Sequence, residues 1–306
     1  NKRFDEYGND KLIGTNGFYA MKAHWSEHPD RDQEWADAER ARIGEERFRR
    51  EHECEFLIFD ETLISSIVLA DMEGVPPVET TGQVRWYKRP TPGHTYMVSL
   101  DPSMGTGGDF AAIQVFELPT FEQVAEWHHN MTPMNQQVRV LQGINKHIHD
   151  TIMEKDQSAS PQIFYSMENN SIGEAALMRV MDIGEENIQG MFLSEPIRKG
   201  HRRKFRRGFN TTAKHKIDAC TKFKELIEND KMKINSSLLI TEMKDFVASG
   251  LSYKAKPGQH DDLVSACLLM TRMMKVLADF DPKIFEKWTD RTSEITPMPI
   301  FGSFTG

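Results

Sequence analysis

The chain has 306 residues, enough for one large or two smaller domains with ample core. Its formal net charge of −8 excludes a protein that coats nucleic acid over its whole surface, so any nucleic-acid-binding surface has to be local. The longest apolar runs fall far short of the roughly 18 residues that span a bilayer, which argues against a membrane protein.

Cys54, Cys220 and Cys267 are widely spaced and form no CxxC pair, the pattern of free thiols in a reducing compartment. No GxxxxGK[ST] loop is present to cradle ATP phosphates, so the chain is not expected to hydrolyse ATP. Residue 1 is Asn, and no signal peptide is visible. The chain is therefore expected to be a fragment of a longer protein.

Residues 1–60 read differently from the rest. Gly17 to Trp25 has strand character, followed by the polar loop His28-Pro29-Asp30. A charged helix is predicted from about Gln33 to His52, with Trp35, Ala38, Ala41, Ile43 and Phe48 at helical spacing. Pro76-Pro77 and Pro90-Thr91-Pro92-Gly93 bracket a connecting segment.

From about residue 94 three strands are predicted, Tyr96 to Leu100, Phe110 to Leu118 and Gln123 to His129. A long helix (about Asn135 to Met153), a strand (Ile163 to Glu168), a helix (Ile172 to Met181) and a strand (Ile188 to Leu193) follow. A basic stretch leads to a helix over about Ala213 to Asn229, a short strand or helix region near 232–248, a strand (Leu251 to Lys254) and a final helix, Leu263 to Leu277. Antiparallel strands followed by alternating helices and strands form an α/β mixed sheet with helices on both faces. After residue 280 the proline- and glycine-bearing tail is expected to be flexible.

Acids punctuate this order. Asp101 ends its apolar strand and enters a glycine-rich turn, Pro102-Ser103-Met104-Gly105-Thr106-Gly107-Gly108-Asp109. Glu168 closes the run Ile163 to Met167, and Asp261 with Asp262 opens the last helix. Carboxylates at two strand ends and a helix start make a cage for hard divalent cations, which take oxygen ligands and keep several waters. Such a cage points to metal-dependent chemistry at phosphate. Successive helical residues point about 100° apart, so Asp261 and Asp262 cannot face one ion equally, and both remain candidates. A calcium loop fails at Thr106 and Ala112, and Gly105, Gly107 and Gly108 do not form GxGxxG.

A second feature is the cation density of Arg198, Lys199, Arg202, Arg203, Lys204, Arg206, Arg207 and Lys214, with Lys216 beyond and no acid until Asp218. In an acidic chain this is a local DNA-phosphate footprint.

The blocks Leu100 to Asp109, Met167-Glu168-Asn169-Asn170 and Gly258-Gln259-His260-Asp261-Asp262-Leu263-Val264 resemble the nuclease domain of the large terminase subunit, the DNA-packaging motor of tailed bacteriophages. Asn210-Thr211-Thr212 and Lys222 to Glu228 look like its T-even-type branch, and the resemblance covers about residues 18 to 278. It implies an RNase H-like fold over 61–280, preceded in 1–60 by a remnant of the ATPase domain and its linker, with a tail at 281–306. It also implies a metal-dependent DNA endonuclease that cuts concatemeric viral DNA when packaging begins and ends. Two Mg²⁺ or Mn²⁺ ions would lie about 3.5–4 Å apart. Asp101 would bridge both, Glu168 would hold the second, Asp261 or Asp262 would complete the first, and Asp109 would be a supporting acid. The implied partners are double-stranded DNA, the small terminase subunit, the portal protein and the ATPase domain of the same polypeptide. The implied location is the host bacterial cytoplasm, transiently at the procapsid portal. The rival readings are a junction resolvase or transposase-like nuclease of the same fold, and a non-catalytic DNA- or portal-docking module.

Overall fold

The structure, a computed structural model, describes residues 2–4, 10–12, 24–53, 62–170, 172–196 and 207–280. The chain divides into two compact units, Asn1–Phe59 and Asp60–Gly306. In the first, β1 (Lys2–Phe4) pairs antiparallel with β2 (Asp10–Leu12). The single helix expected over 33–52 is two helices, α1 (Gln33–Ile43) and α2 (Glu45–His52). Gly44, at φ 87°, breaks it, because the left-handed region suits a residue without Cβ and ends a helix there. The Asp32 side chain caps α1 by accepting the Trp35 N–H at 2.8 Å. Trp25, Trp35 and Phe48 gather with ring centroids 6.1–6.2 Å apart, forming this unit's small aromatic core. Of the strand expected over Gly17 to Trp25, residues 17–23 lie outside the described residues, and Trp25 opens a 3-10 turn, Trp25–Glu27.

The second unit begins with α3 (Ser66–Asp71) and a hairpin, β3 (Glu79–Thr81) and β4 (Val84–Trp86), in the segment expected to be only a connection. Strands of three residues are too short to show an alternating pattern. Then come β5 (Thr95–Asp101), β6 (Ala111–Leu118), β7 (Glu122–His129), α4 (Met134–Lys155), β8 (Gln162–Met167), α5 (Gly173–Ile183) and β9 (Met191–Phe192). The chain closes with α6 (Ala213–Glu228), α7 (Ser237–Asp245), β10 (Phe246–Ser249), β11 (Ser252–Ala255) and α8 (Asp262–Phe280). The main sheet runs β3-β4-β7-β6-β5-β8-β9. Its pairs are antiparallel as far as β5, whereas β5/β8 and β8/β9 are parallel. This is the expected mixed sheet. Two details differ: the strand expected from Ile188 shrinks to Met191–Phe192, and β10 and β11 form a separate ribbon.

Both faces of the sheet are covered. Tyr96, Val98 and Leu100 of β5 join Ile113, Val115 and Trp127 against Val138, Leu141, Ile144 and Ile148 of α4. Met97, Phe116 and Phe164 face the other way, into a core with Phe223 and Leu226 of α6 and Leu263, Val264 and Cys267 of α8. Each fully buried side chain of this size stabilises the fold by roughly 1.5–3 kcal/mol relative to exposure. Cys220 and Cys267 are free and buried, and burial pushes the Cys220 thiol up to about 11, so both pack as apolar groups. Cys54 and the tail over 281–306 lie outside the described residues, and among the described ones no helix is long and apolar enough to cross a membrane.

Gly173 begins α5 so close to β8 that a Cβ on it would lie 1.8 Å from the Glu168 carbonyl oxygen. Gly143, inside α4, has nothing within 4 Å of the same position. Gly173→Ala should therefore lower stability by at least about 1–3 kcal/mol, as overpacking does. Gly143→Ala should raise it by roughly 0.5–1 kcal/mol through helix propensity. Urea midpoints of the two variants check the pair, and a harmless Gly173→Ala would contradict the packing described.

Candidate active site

Alternation along the strands places the first two acids. In β5 the apolar side chains Tyr96, Val98 and Leu100 point to α4, so Ser99 and Asp101 point to α8. The Ser99 hydroxyl indeed donates to the Ala266 carbonyl of α8 at 2.8 Å. In β8 the same alternation sends Ile163, Tyr165 and Met167 to α4 and α5, and Ser166 and Glu168 to the α8 face. The parallel register pairs Ser99 with Ser166 and Leu100 with Met167. The next step sets Asp101 beside Glu168, whose N–H donates to the Leu100 carbonyl at 3.2 Å. The Glu168 carboxyl accepts from the Asn170 amide at 3.2 Å. Burial, then the Glu168 charge, then the Asp262 and Asp261 charges hold the Asp101 carboxyl well above the usual carboxylate range.

The turn after Asp101 is tied down from behind. Gln137 of α4 is fully buried; its amide donates to the Ser103 carbonyl at 2.9 Å and the Thr132 carbonyl at 2.7 Å. Gly105 sits at φ 67°, and a Cβ there would meet the Thr132 oxygen at 2.1 Å, which explains the glycine. The turn ends at Phe110, stacked on His128 at 4.1 Å and edge-on to His260 at 4.8 Å.

The start of α8 supplies the other acids. Asp262 accepts the Phe110 N–H at 3.4 Å and lies 3.6 Å from His260 Nδ1. Burial first, with the Asp261 and Asp109 charges, pushes its carboxyl up to about 6 against the pull of the Phe110 N–H and His260. Asp261 accepts the Ala255 N–H at 3.2 Å and faces Lys216 Nζ at 4.0 Å. Asp109 is exposed, with its charge felt at Asp262. Asp101 and Glu168 open onto a cleft of about 140 Å³ lined also by Thr211, Lys216, Ser265 and Arg272. Arg272 ties it together, donating to Glu195, to the Asn210 carbonyl at 3.0 Å and to the Thr211 hydroxyl at 2.9 Å.

Among the described residues no three His, Cys, Asp or Glu side chains stand as a ready group for a metal ion. Glu168 accepts from Asn170, and Asp261 and Asp262 are each turned to a backbone N–H. The donor set itself fits a hard cation. It is all carboxylate oxygen, and burial together with the charges of neighbouring acids raises the proton affinity of Asp101 and Asp262, a repulsion that a divalent ion relieves.

The predicted basic stretch is described at two positions. Arg207 pairs with Glu185 and lies 5.8 Å from the Phe192 ring centroid, beside α5, and Lys214 is exposed on α6. Arg198, Lys199, Arg202, Arg203, Lys204 and Arg206 lie outside the described residues. Sequence reading assigned no site role to Gln137, Arg272 or Glu242, and placed Lys216 in the basic stretch rather than beside Asp261. Glu242 of α7 is buried and accepts the Leu263 and Val264 N–H groups at 2.8 and 3.1 Å. Burial pushes its carboxyl up to about 9, opposed by those two N–H groups and helped by the Asp262 and Asp261 charges. The available signal was an acid on the apolar helix face Leu239, Ile240 and Met243.

The fold has counterparts among solved structures. The large terminase nuclease of thermophilic phage G20c with bound magnesium superposes with a TM-score of 0.51 at 16% identity, over 70% of this chain and 97% of that one. Its cobalt-bound form gives 0.51 at 16% identity over the same shares of the two chains. A further structure of that nuclease gives 0.50 at 18% identity, over 68% and 96%. At such identities the likeness is one of fold. The sequence adds what the superposition cannot: the model of the terminase RNase H-like domain matches residues 98–273, from the middle of β5 into α8, and so spans Asp101, Glu168, Asp261 and Asp262. The chain therefore belongs to the terminase family of RNase H-like domains.

Proposed function

We propose that this chain is the nuclease portion of a phage large terminase, a divalent-metal-dependent endodeoxyribonuclease that cuts concatemeric viral DNA at the initiation and termination of packaging. The carrying observation is the Asp101–Glu168 pair at adjacent strand ends, coupled by charge to Asp261 and Asp262 and open to a cleft. Family membership supports the nuclease role, and the magnesium and cobalt bound to the G20c nuclease support a divalent cofactor. Asp101 and Glu168 would hold Mg²⁺ or Mn²⁺, with Asp261 or Asp262 completing the set. Such ions would supply Lewis-acid polarisation of the scissile phosphate and an acidified water. Lys216, beside Asp261 at the cleft wall, is placed to meet a phosphate oxygen or to balance the acids. The basic stretch Arg198 to Lys214 would track the DNA backbone. The first unit would be the end of the ATPase domain and its linker. Small terminase, portal and that ATPase domain would be partners, in the host cytoplasm.

Asp101→Ala and Glu168→Ala should each abolish plasmid nicking in Mg²⁺ or Mn²⁺ while leaving the fold intact. Wild-type nicking by Asp101→Ala would remove this acid from the mechanism. If the wild-type protein fails to nick DNA in either metal, the docking-module reading takes its place.

The acids also set a pH dependence in EDTA. The Asp262 carboxyl sits at about 6 when folded and at 3.8 in its ordinary range, so between these values the folded protein holds the extra proton. Stability of the metal-free protein therefore falls as pH rises through that window. Asp262→Asn, which lacks the titration, should gain melting temperature relative to wild type as pH rises from about 4 to 6 and hold that gain above. A difference that is flat with pH would refute the assignment.

Arg202→Glu with Arg206→Glu should weaken duplex binding and leave metal affinity unchanged. If both arginines meet phosphates, the slope of log K against log salt should become shallower by about two units. An unchanged slope at matched ionic strength would assign the stretch to a protein partner.

A further inference from the structure

The first turn of α8 is capped from outside its own sequence. A helix leaves its first N–H groups without intrahelical partners, and an Asp just before the first helical residue ordinarily accepts one from the second or third position. Asp261 occupies that place, with Leu263 and Val264 at the positions it would serve. Its side chain is turned away instead, accepting the Ala255 N–H of β11 at 3.2 Å. Only the Asp261 backbone carbonyl joins the helix, accepting the Ser265 N–H at 2.8 Å. Both free donors go to a single oxygen, Oε2 of Glu242 on α7, at 2.8 Å for Leu263 and 3.1 Å for Val264. The other carboxyl oxygen faces His128 Nε2 at 3.6 Å. That histidine is stacked on Phe110, whose N–H meets Asp262.

We propose that Glu242 is a positioning residue that caps α8 in place of Asp261 and so keeps the Asp261 carboxylate available to the metal-binding cleft. The inference rests on the nuclease reading for what the cleft binds. The competition is local. Without an acceptor at Glu242, the Leu263 and Val264 donors would turn to Asp261, which holds the capping position of α8. Swinging there satisfies the helix and carries the Asp261 carboxylate away from Lys216, which lines the cleft, and from its place beside the Asp101 carboxyl. Glu242 touches neither DNA nor metal in this scheme; it removes the reason for Asp261 to leave.

The test compares Glu242→Ala and Glu242→Gln in the full chain. The Gln amide oxygen can accept the same two N–H groups, whereas Ala offers no acceptor. Mn²⁺ affinity by calorimetry should fall by roughly tenfold to a hundredfold in Glu242→Ala, the scale seen when groups supporting metal ligands are removed. Glu242→Gln should stay within about threefold of wild type on the same scale. Hydrogen exchange at the Leu263 and Val264 amides, read without metal, should accelerate in the Ala variant and stay slow in the Gln variant. Nicking by the Ala variant should need more Mn²⁺ for half-maximal rate and recover at saturating Mn²⁺, which a general loss of folded protein would not produce. If Glu242→Ala does not fold, Glu242→Asp, a methylene too short to reach both donors, should show the same weakened Mn²⁺ binding. Wild-type Mn²⁺ affinity in a folded Ala or Asp variant would overturn the proposal, as would a Gln variant as weak as Ala. A wild-type protein that binds Mn²⁺ without cutting DNA would sink the nuclease reading alone, with the affinity comparison still deciding the role of Glu242. A wild-type protein that binds no Mn²⁺ would sink both.

Discussion

Two strands of one sheet end side by side on acids that share a face, and most of the second unit is arranged around that fact. The parallel pairing of β5 with β8 makes Ser99 and Ser166 neighbours, and the period of two then delivers Asp101 and Glu168 together on the α8 side. A slip of one residue in either strand would send its acid into the apolar layer beneath α4. The register is held by the burial of Tyr96, Val98, Leu100, Tyr165 and Met167 on the far face. A carboxyl group driven well above its usual range by burial and by a neighbouring acid is thus sustained by hydrophobic packing on the opposite side of the sheet.

Such a pair needs rigid surroundings, because two acids that repel will separate if their supports allow it. β5 lies between β6 and β8 and is covered on both faces, so its end is fixed on every side. The turn leaving Asp101 is held by the buried Gln137 amide and by the close approach of Gly105 to Thr132. Helix α8 packs on β5 and β6 through Leu263, Val264 and Cys267, and Ser99 bonds to its Ala266 carbonyl. The acids from strand ends and helix start therefore belong to one mechanical body.

What could be read from sequence follows from how local each feature is. Asp101 and Glu168 were legible because an acid closing an apolar strand breaks a pattern of few residues. Asp261 and Asp262 were legible as an acidic helix start, and the resemblance to a terminase nuclease predicted that the clusters share a site. The break at Gly44 was not legible, since a lone glycine flanked by the helix formers Arg42, Glu45 and Glu46 is also tolerated inside a helix. The hairpin of β3 and β4 was missed because three-residue strands carry no period. Glu242 was missed for another reason: its partners lie 21 and 22 residues further on, and no local pattern links an acid on one helix to the first turn of another. Gln137, 34 residues from Ser103, was hidden in the same way.

The balance of charge at the cleft bears on the order of events under the proposed reading. Duplex DNA carries one negative charge per about 1.7 Å of axis, so a phosphate entering the cleft meets Asp101 and Glu168 directly and Asp261 and Asp262 close by. Among the described residues lining that cleft the cations are Lys216 and Arg272. Arg272 is already engaged by Glu195 and by the Asn210 carbonyl, and Lys216 lies against Asp261. Two engaged cations do not offset four acids. Divalent ions would have to neutralise the acids before or as the backbone arrives, and the cation-rich segment between Arg198 and Lys214 would draw the duplex in. Attraction and cutting would then fall to residues of opposite charge, which a chain of net charge −8 can combine because nine of its cations stand between Arg198 and Lys216 with no acid among them.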